Sequence, residues 1–222
     1  MKLKVFDAAG KELREIDAAD EVFGIEPNRA VLHQAYVAQM GNRRSGNART
    51  QTRGEVRGST AKIRKQKGLG RSRQGAIRAS HHVGGGVAFG PRPHSFAKAL
   101  PRTMGRLALR SALSSHAANG SLVVVEGLST PDAKTRSMQT LLDALGIERR
   151  TLIVTGSHVP EVTRSARNID IARAVPAANL NVVDLINAHR LLMSEDAVRA
   201  CEALWGGANL KPLRGRGKEA AV

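Results

Sequence analysis

The run Arg64-Lys-Gln-Lys-Gly-Leu-Gly-Arg-Ser-Arg73 interleaves guanidinium and ammonium groups with glycines. Cations neutralise phosphate, and glycine, lacking a Cβ, lets a backbone approach it closely. The chemistry this spacing supports is the binding of a polyanion rather than the making of bonds. The pattern extends well beyond these residues. Candidate nucleic-acid contacts are Arg43, Arg44, Arg49, Arg53, Arg57, Lys62, Arg64, Lys65, Lys67, Arg71, Arg73, Arg78, Arg92, Arg102 and Arg106. With Lys98 and Arg110 they make seventeen bases, and the only acid among them is Glu55. The other parts of the chain hold eighteen bases and eighteen acids, so this stretch carries the whole net charge of +16. Such an excess points to nucleic acid or an anionic membrane surface as partner.

Other chemistries fail on spacing. Val83-Gly-Gly-Gly-Val-Ala-Phe-Gly-Pro-Arg-Pro93 resembles a nucleotide-binding loop, but the chain contains no G-x-x-x-x-G-K-[ST]. A G-x-G-x-x-G reading from Gly68 and Gly70 meets Arg73 where its third glycine belongs, and neither glycine cluster follows a strand and opens a helix. A tight chain reversal close to RNA, with Phe89 as an apolar plug, accounts for the run better. His81 and His82 would point to opposite sides of an extended chain, with no Cys, Asp or Glu near them to complete a metal shell. His33, His116, His158 and His189 are scattered, and Ser114-Ser115-His116 reads as part of a helix rather than a nucleophilic pair. No enzyme, cofactor or metal is expected. The scarcity of Phe, Tyr and Trp in the basic stretch argues against base stacking as its main mode and favours recognition of backbone and shape.

The elements that must position this stretch lie on either side of it. Leu3 and Val5 alternate with Lys2 and Lys4 before a turn at Ala9-Gly10, and a second strand is expected near Leu13 to Ile16. After Pro27, Asn28 is suited to cap a helix carrying Val31, Leu32, Ala35, Tyr36 and Ala38 on one face, with Gly41 placed to end it. From Gly41 to Gly90 the apolar rhythm vanishes, and eleven of the chain's 22 glycines fall there. A structureless segment of that length inside a domain is either disordered alone or ordered by a partner, and the charge favours a partner.

Helical spacing resumes with Met104, Leu107, Ala108 and Ser111 and stops at Asn119-Gly120. Leu122 to Val125 reads as a buried strand, Thr130-Pro131 as the start of a helix bearing Met138, Leu141, Leu142 and Leu145, and Leu152 to Thr155 as another buried strand. Val162, Ala166 and Ile169 predict a helix, Ala172 to Val175 a strand, Val182 to Asn187 a short helix, Arg190 to Met193 a strand and Ala197 to Leu204 a last helix. The expected fold class is α/β: a single globular domain with a mainly parallel sheet flanked by helices, plus a long extended basic loop. The expected division is 1–42 with 101–205 as the domain, 43–100 as the loop and 206–222 as a flexible tail, where Lys211, Arg214, Arg216 and Lys218 permit RNA contact. A lone Cys201 in an apolar helical pattern, no secretory h-region and no run near 18 apolar residues predict a reducing, cytoplasmic setting without a membrane partner.

Two stretches go beyond composition: Thr52-Arg-Gly-Glu-Val-Arg-Gly-Ser59 through Gln66-Lys-Gly-Leu-Gly-Arg-Ser-Arg-Gln-Gly75, and Gly84-Gly-Gly-Val-Ala-Phe-Gly-Pro-Arg-Pro93 through Leu107-Ala-Leu-Arg-Ser-Ala-Leu113. Together they resemble the bacterial type of the universal large-subunit ribosomal protein family numbered four, over residues 1 to about 205. The resemblance implies a structural constituent of the large subunit that binds large-subunit ribosomal RNA and supports assembly, with neighbouring large-subunit proteins as further partners. It implies a loop tip at Gln66, Lys67, Gly68 and Leu69 that helps line the nascent-peptide exit tunnel near the macrolide-binding region. In some bacterial relatives it also implies repression of the operon through the protein's own messenger RNA. The chain departs from the family pattern at Arg64, where an aromatic is common, and at Leu69, where a threonine is common, so drug response and tip contacts do not carry over.

Two rival readings follow from the residues. One is a non-ribosomal RNA chaperone or RNA-binding translational regulator with the same loop; the other is a nucleotide-using enzyme on a doubly wound fold. Run out and back in extended conformation, the loop from Arg43 to Leu100 would reach at most about 90 Å. Its arginines and lysines would then bridge phosphates of different RNA helices.

Overall fold

Leu3 and Val5 of β1 (Lys2–Phe6) are buried, while Lys2 and Lys4 on the opposite face are exposed, as the alternation predicts. A computed structural model describes residues 1–128 and 133–207 of the chain. The chain divides into two compact units, Gly41–Lys98 and Met1–Met40 with the described residues from Ala99 on.

The second of these units is a six-stranded sheet with helices on both faces. Its further elements are β2 (Glu12–Asp17), α1 (Asp20–Phe23), α2 (Arg29–Arg43, which runs on past Met40), α3 (Arg102–Ala118), β3 (Leu122–Val125) and α4 (Thr135–Ala144). Then follow β4 (Thr151–Thr155), α5 (Pro160–Ala166), β5 (Ala172–Pro176), α6 (Val182–Asn187), β6 (Arg190–Ser194) and α7 (Glu195–Trp205). The strand order is β2-β1-β3-β6-β4-β5, parallel throughout except for the β1–β2 hairpin. The β1–β2 hairpin carries a charged ladder, with Lys4 on Glu12 at 3.0 Å and Lys2 on Glu15 at 3.7 Å. Charges on an edge strand discourage pairing with another chain.

Period-two alternation in the central strands sends neighbouring residues to opposite layers. Leu152, Val154, Leu191, Met193 and Val124 pack with Phe23, Leu113, Leu185, Val198, Cys201 and Trp205 from α1, α3, α6 and α7. Ile153, Leu192 and Val125 pack with Met138, Leu141, Leu142, Val162 and Ala166 from α4 and α5. Each fully buried Leu or Met of this kind stabilises the fold by roughly 1.5–3 kcal/mol relative to exposure.

The helix caps follow the sequence in part. Asn28 accepts a hydrogen bond from the Val31 amide at 3.2 Å, and Asn181 and Ser194 cap α6 and α7 through the Asp184 and Ala197 amides at 2.8 and 3.1 Å. Gly41 does not end α2, which continues to Arg43, because a glycine can hold helical backbone as readily as break it. The helix carrying Met138 begins at Thr135 with Lys134 at its cap; Thr130 and Pro131, expected to start it, lie outside the described residues. α5 ends at Ala166, and Ile169 packs against the same cluster from the turn that follows. Helix α1 was not legible because four residues carry no helical period, although Val22 and Phe23 are both fully buried. The tail from residue 208 on, with Lys211, Arg214, Arg216 and Lys218, also lies outside the described residues.

His116 and Cys201 of the sheet unit are structural. Ser114 donates to the Val22 carbonyl at 3.1 Å and accepts from the Ile25 amide at 3.2 Å. His116 places Nε2 at 2.9 Å from the Leu185 carbonyl and Nδ1 at 2.8 Å from the Ser121 hydroxyl, which joins α3 to α6 and β3. Its pKa is lowered, chiefly because burial disfavours the imidazolium, with the Leu185 carbonyl opposing. Neutral imidazole then donates from Nε2 and accepts at Nδ1. Cys201 is buried, and burial pushes its thiol up to about 12. No helix among the described residues is long and apolar enough to cross a membrane.

Candidate nucleic-acid interface

From Arg44 to Pro101 the chain forms no helix and no strand. The reason is compositional: glycines, prolines and cations leave little to bury. Within Gly41–Lys98, Gly86 is the single buried residue. Fourteen of the chain's 35 Lys and Arg lie in this unit against one of its 19 acids, a net charge of +13.

Hydrogen bonds between its two arms give the unit part of its order. The Lys98 amide donates to Asn42 Oδ1 at 2.7 Å, His94 to the Gly46 carbonyl at 3.2 Å, Thr50 to Pro91 at 3.2 Å and Val87 to Gln51 at 2.9 Å. Farther along, Ile63 donates to Gly75 at 3.2 Å. These bonds run the chain out and back. At Gly86 the arms come so close that a Cβ would collide with the backbone of Arg53, so only glycine fits. The far end turns through Gly68 and Gly70, both at positive φ, with Gln66, Lys67 and Leu69 exposed beside them.

Thirteen of the fifteen candidate cations belong to this unit, with Arg43 in the last turn of α2; Arg102 and Arg106 sit in the first turns of α3 in the other unit. Twelve of the fifteen are exposed, and Arg64, Arg78 and Arg106 are half-buried. Four have uses inside the unit that composition does not reveal. The Arg44 guanidinium lies 4.0 Å from the centre of the Phe96 ring, whose neighbour is His94 at 4.4 Å. Arg78 donates to the carbonyls of Gly54 and Val56 at 3.5 and 3.3 Å, and Lys62 donates to Gln66. Arg49 pairs with Glu55.

Glu55, the lone acid, is a turn residue. It accepts from the Thr52 amide at 2.9 Å and hydroxyl at 3.2 Å, the reach-back half of a capping box. These bonds, led by the Thr52 amide and then Arg49, hold its carboxyl below the usual glutamate range. It therefore opposes phosphate binding less than a free carboxylate would, because Arg49 already offsets its charge.

His81 and His82 do not point apart as an extended chain would place them. They sit in a turn with ring centroids 4.2 Å apart, and His81 Nε2 lies 2.7 Å from Gln74 Oε1. No group of three potential metal ligands occurs among the described residues. The crevice at the carboxyl ends of β3, β4 and β6, where doubly wound folds seat nucleotides, is lined by Glu126, Glu195 and Asp196 and bridged by Arg14 at 3.2 and 2.8 Å from the two glutamates. A nucleotide phosphate would meet carboxylates there. Exposed cations on such a scaffold can bind an extended polyanion.

Comparison with known proteins gives the family. The profile of the family described as Ribosomal protein L4/L1 matches residues 16–204. Among curated relatives, "Large ribosomal subunit protein uL4" of Dehalococcoides mccartyi strain 195 is 44% identical over 206 residues, covering 93% of this chain and 98% of that protein. The protein of the same name from Desulfitobacterium hafniense strain Y51 is 43% identical over 201 residues, covering 90% and 97%. That from Brevibacillus brevis is 42% identical over 201 residues, again covering 90% and 97%. A profile spanning the sheet unit and the basic unit alike, with identity at this level over nearly the whole length, means that the chain belongs to the ribosomal protein L4/L1 family.

Proposed function

We propose that the chain is a structural constituent of the large ribosomal subunit in the bacterial cytoplasm, binding large-subunit ribosomal RNA through the unit Gly41–Lys98 and supporting subunit assembly. The role is structural and not enzymatic, as in its family. The observation that carries the RNA contact is the separation of charge from core: a net +13 lies in a unit with one buried residue. Like charges crowded without a core repel one another, and phosphates between the arms remove that repulsion while releasing counterions.

In this reading residues 1–42 with 101–205 anchor the protein, and 43–100 enters folded RNA. Gln66, Lys67, Gly68 and Leu69, at the turn of the out-and-back path, form the tip that helps line the exit tunnel. Neighbouring large-subunit proteins would meet the sheet unit. Any messenger RNA the chain binds has to compete for the same exposed cations.

Sucrose-gradient sedimentation tests the assignment. The protein should travel stoichiometrically with the large subunit at high salt; its loss to the top of the gradient would point to a free RNA chaperone or regulator. Calorimetry with ATP or NAD should give no binding heat.

A further inference from the structure

The basic unit contains two phenylalanines in opposite circumstances. Phe96 is half-buried, with Arg44 over its ring and His94 beside it. Phe89 is fully exposed, at 107% of its reference area, and makes no ring contact among the described residues. It is also held at φ +54, a left-handed conformation that is uncommon for a bulky side chain. The backbone on either side is hydrogen-bonded to the other arm. The Val87 amide donates to Gln51 at 2.9 Å, Thr50 donates to Pro91 at 3.2 Å, and Gly86 is packed against Arg53. A bare ring is thus presented by a tethered turn.

Phe89 lines a concavity of about 1030 Å³ whose charged and polar lining includes Arg53, Arg92 and His94 and whose walls hold no carboxylate. Neither Arg53 nor Arg92 makes an ion pair among the described residues. We infer that Phe89 stacks an unpaired nucleobase of the RNA, and that Arg53 and Arg92 hold the phosphates flanking that nucleotide. The inference rests on the proposed RNA-binding function and adds a discrete nucleotide site to it. A nucleotide offers a π-face and a negative charge a few ångströms apart, matching ring and cations together. An apolar side chain of a neighbouring protein would cover the ring and leave both guanidinium groups uncompensated. A single free aromatic is compatible with backbone contacts as the main mode, since it anchors one base and leaves the other contacts to charge.

The test uses the full-length chain and an in-vitro transcript of large-subunit ribosomal RNA. Phe89→Leu should weaken binding by roughly 5- to 150-fold at every salt concentration, the range for one base–aromatic stack, with the slope of log K against log salt unchanged. Phe89→Trp should bind like the parent, and its added indole fluorescence should be quenched on saturation with RNA. Wild-type affinity in Phe89→Leu, or an unquenched indole in Phe89→Trp, overturns the stacking. Either result beside a steep salt slope for the parent leaves RNA binding standing. A parent that shows no salt-dependent binding removes the RNA reading itself. Parental RNA affinity with reduced retention of Phe89→Leu on the assembled subunit would assign the ring to a protein neighbour and refute the inference.

Discussion

Replacing Arg71 and Arg73 together by alanine removes two exposed guanidinium groups that make no hydrogen bond or ion pair among the described residues. The size of the effect follows from how many cations are available. Of the fifteen candidates, Arg44, Arg49, Lys62 and Arg78 are engaged within the unit, and Arg106 has an interaction of its own. Ten remain. If six to ten phosphates are met, affinity for a ribosomal RNA transcript should fall by about 10³ to 10⁵ between roughly 50 and 200 mM salt. Each lost contact lowers the slope of log K against log salt by about 0.7–0.9, so the double variant should lose about 1.4–1.8 in slope. Near 0.1 M salt that corresponds to a loss of roughly 25- to 60-fold in affinity. Filter binding or fluorescence anisotropy over a salt series reads both quantities. Circular dichroism should show the sheet unit still folded, because its core clusters are built from residues of its own unit. An unchanged slope would refute the reasoning, and so would unfolding of the variant.

Four further outcomes are expected. Glu55→Gln keeps the size of the side chain but loses the charge that Arg49 and the Thr52 amide hold; cleavage by a protease specific for arginine should rise around Arg49 and Arg53 while the melting temperature stays put. The folded pKa of Glu55 is depressed, so the same loosening should appear in the parent as pH falls below the ordinary glutamate value of 4.5, and be absent above it. His116 has a folded pKa below its ordinary 6.5, so unfolding takes up a proton: its contribution is complete above that value and is lost as pH drops through it. Denaturant titrations of His116→Gln should therefore vary less than the parent between about pH 7 and 5. Cys201, with its thiol pushed up to about 12, should resist a thiol reagent at pH 8 until denaturant unfolds the chain. Amides of Gly41–Lys98 should exchange with deuterium far faster than those of β4 and β6 in the free protein, and slow on adding RNA; protection equal to the sheet without RNA would count against a partner-ordered loop.

The sheet unit was legible wherever one residue pattern admitted one packing. Val182–Asn187 is a helix within the bounds its residues predict, and the continuous apolar runs at Leu122 and Leu152 became strands shared by both apolar layers. The order of the strands was not legible. Nothing local places β6 between β3 and β4; that position follows from how Leu191, Leu192 and Met193 divide between two helix layers assembled from distant segments. The miss at Gly41 has the opposite origin. A glycine signal describes what a residue permits, and the helix ran on to Arg43 because permission is not compulsion.

In the basic unit the sequence revealed where charge is concentrated but not which charges are already engaged. Arg78 and Arg44 look like their neighbours in composition. One reaches back 22 and 24 residues to main-chain carbonyls, and the other reaches forward 52 residues to an aromatic ring. Those partners exist only once the arms are paired, and the pairing leaves no trace in residue type. The same geometry divides the two phenylalanines, of which the sequence singled out Phe89 as an apolar plug and gave no role to Phe96. Pairing at Asn42, Gly46, Thr50 and Gln51 buries one glycine and no apolar side chain. A few backbone bonds of about 1 kcal/mol each cannot offset the mutual repulsion of fourteen cations and the chain entropy of the whole unit. On the proposed RNA-binding reading, the arms set a register that phosphate would complete, and an arginine such as Arg78, tied to Gly54 and Val56, shapes that register without itself having to meet the RNA.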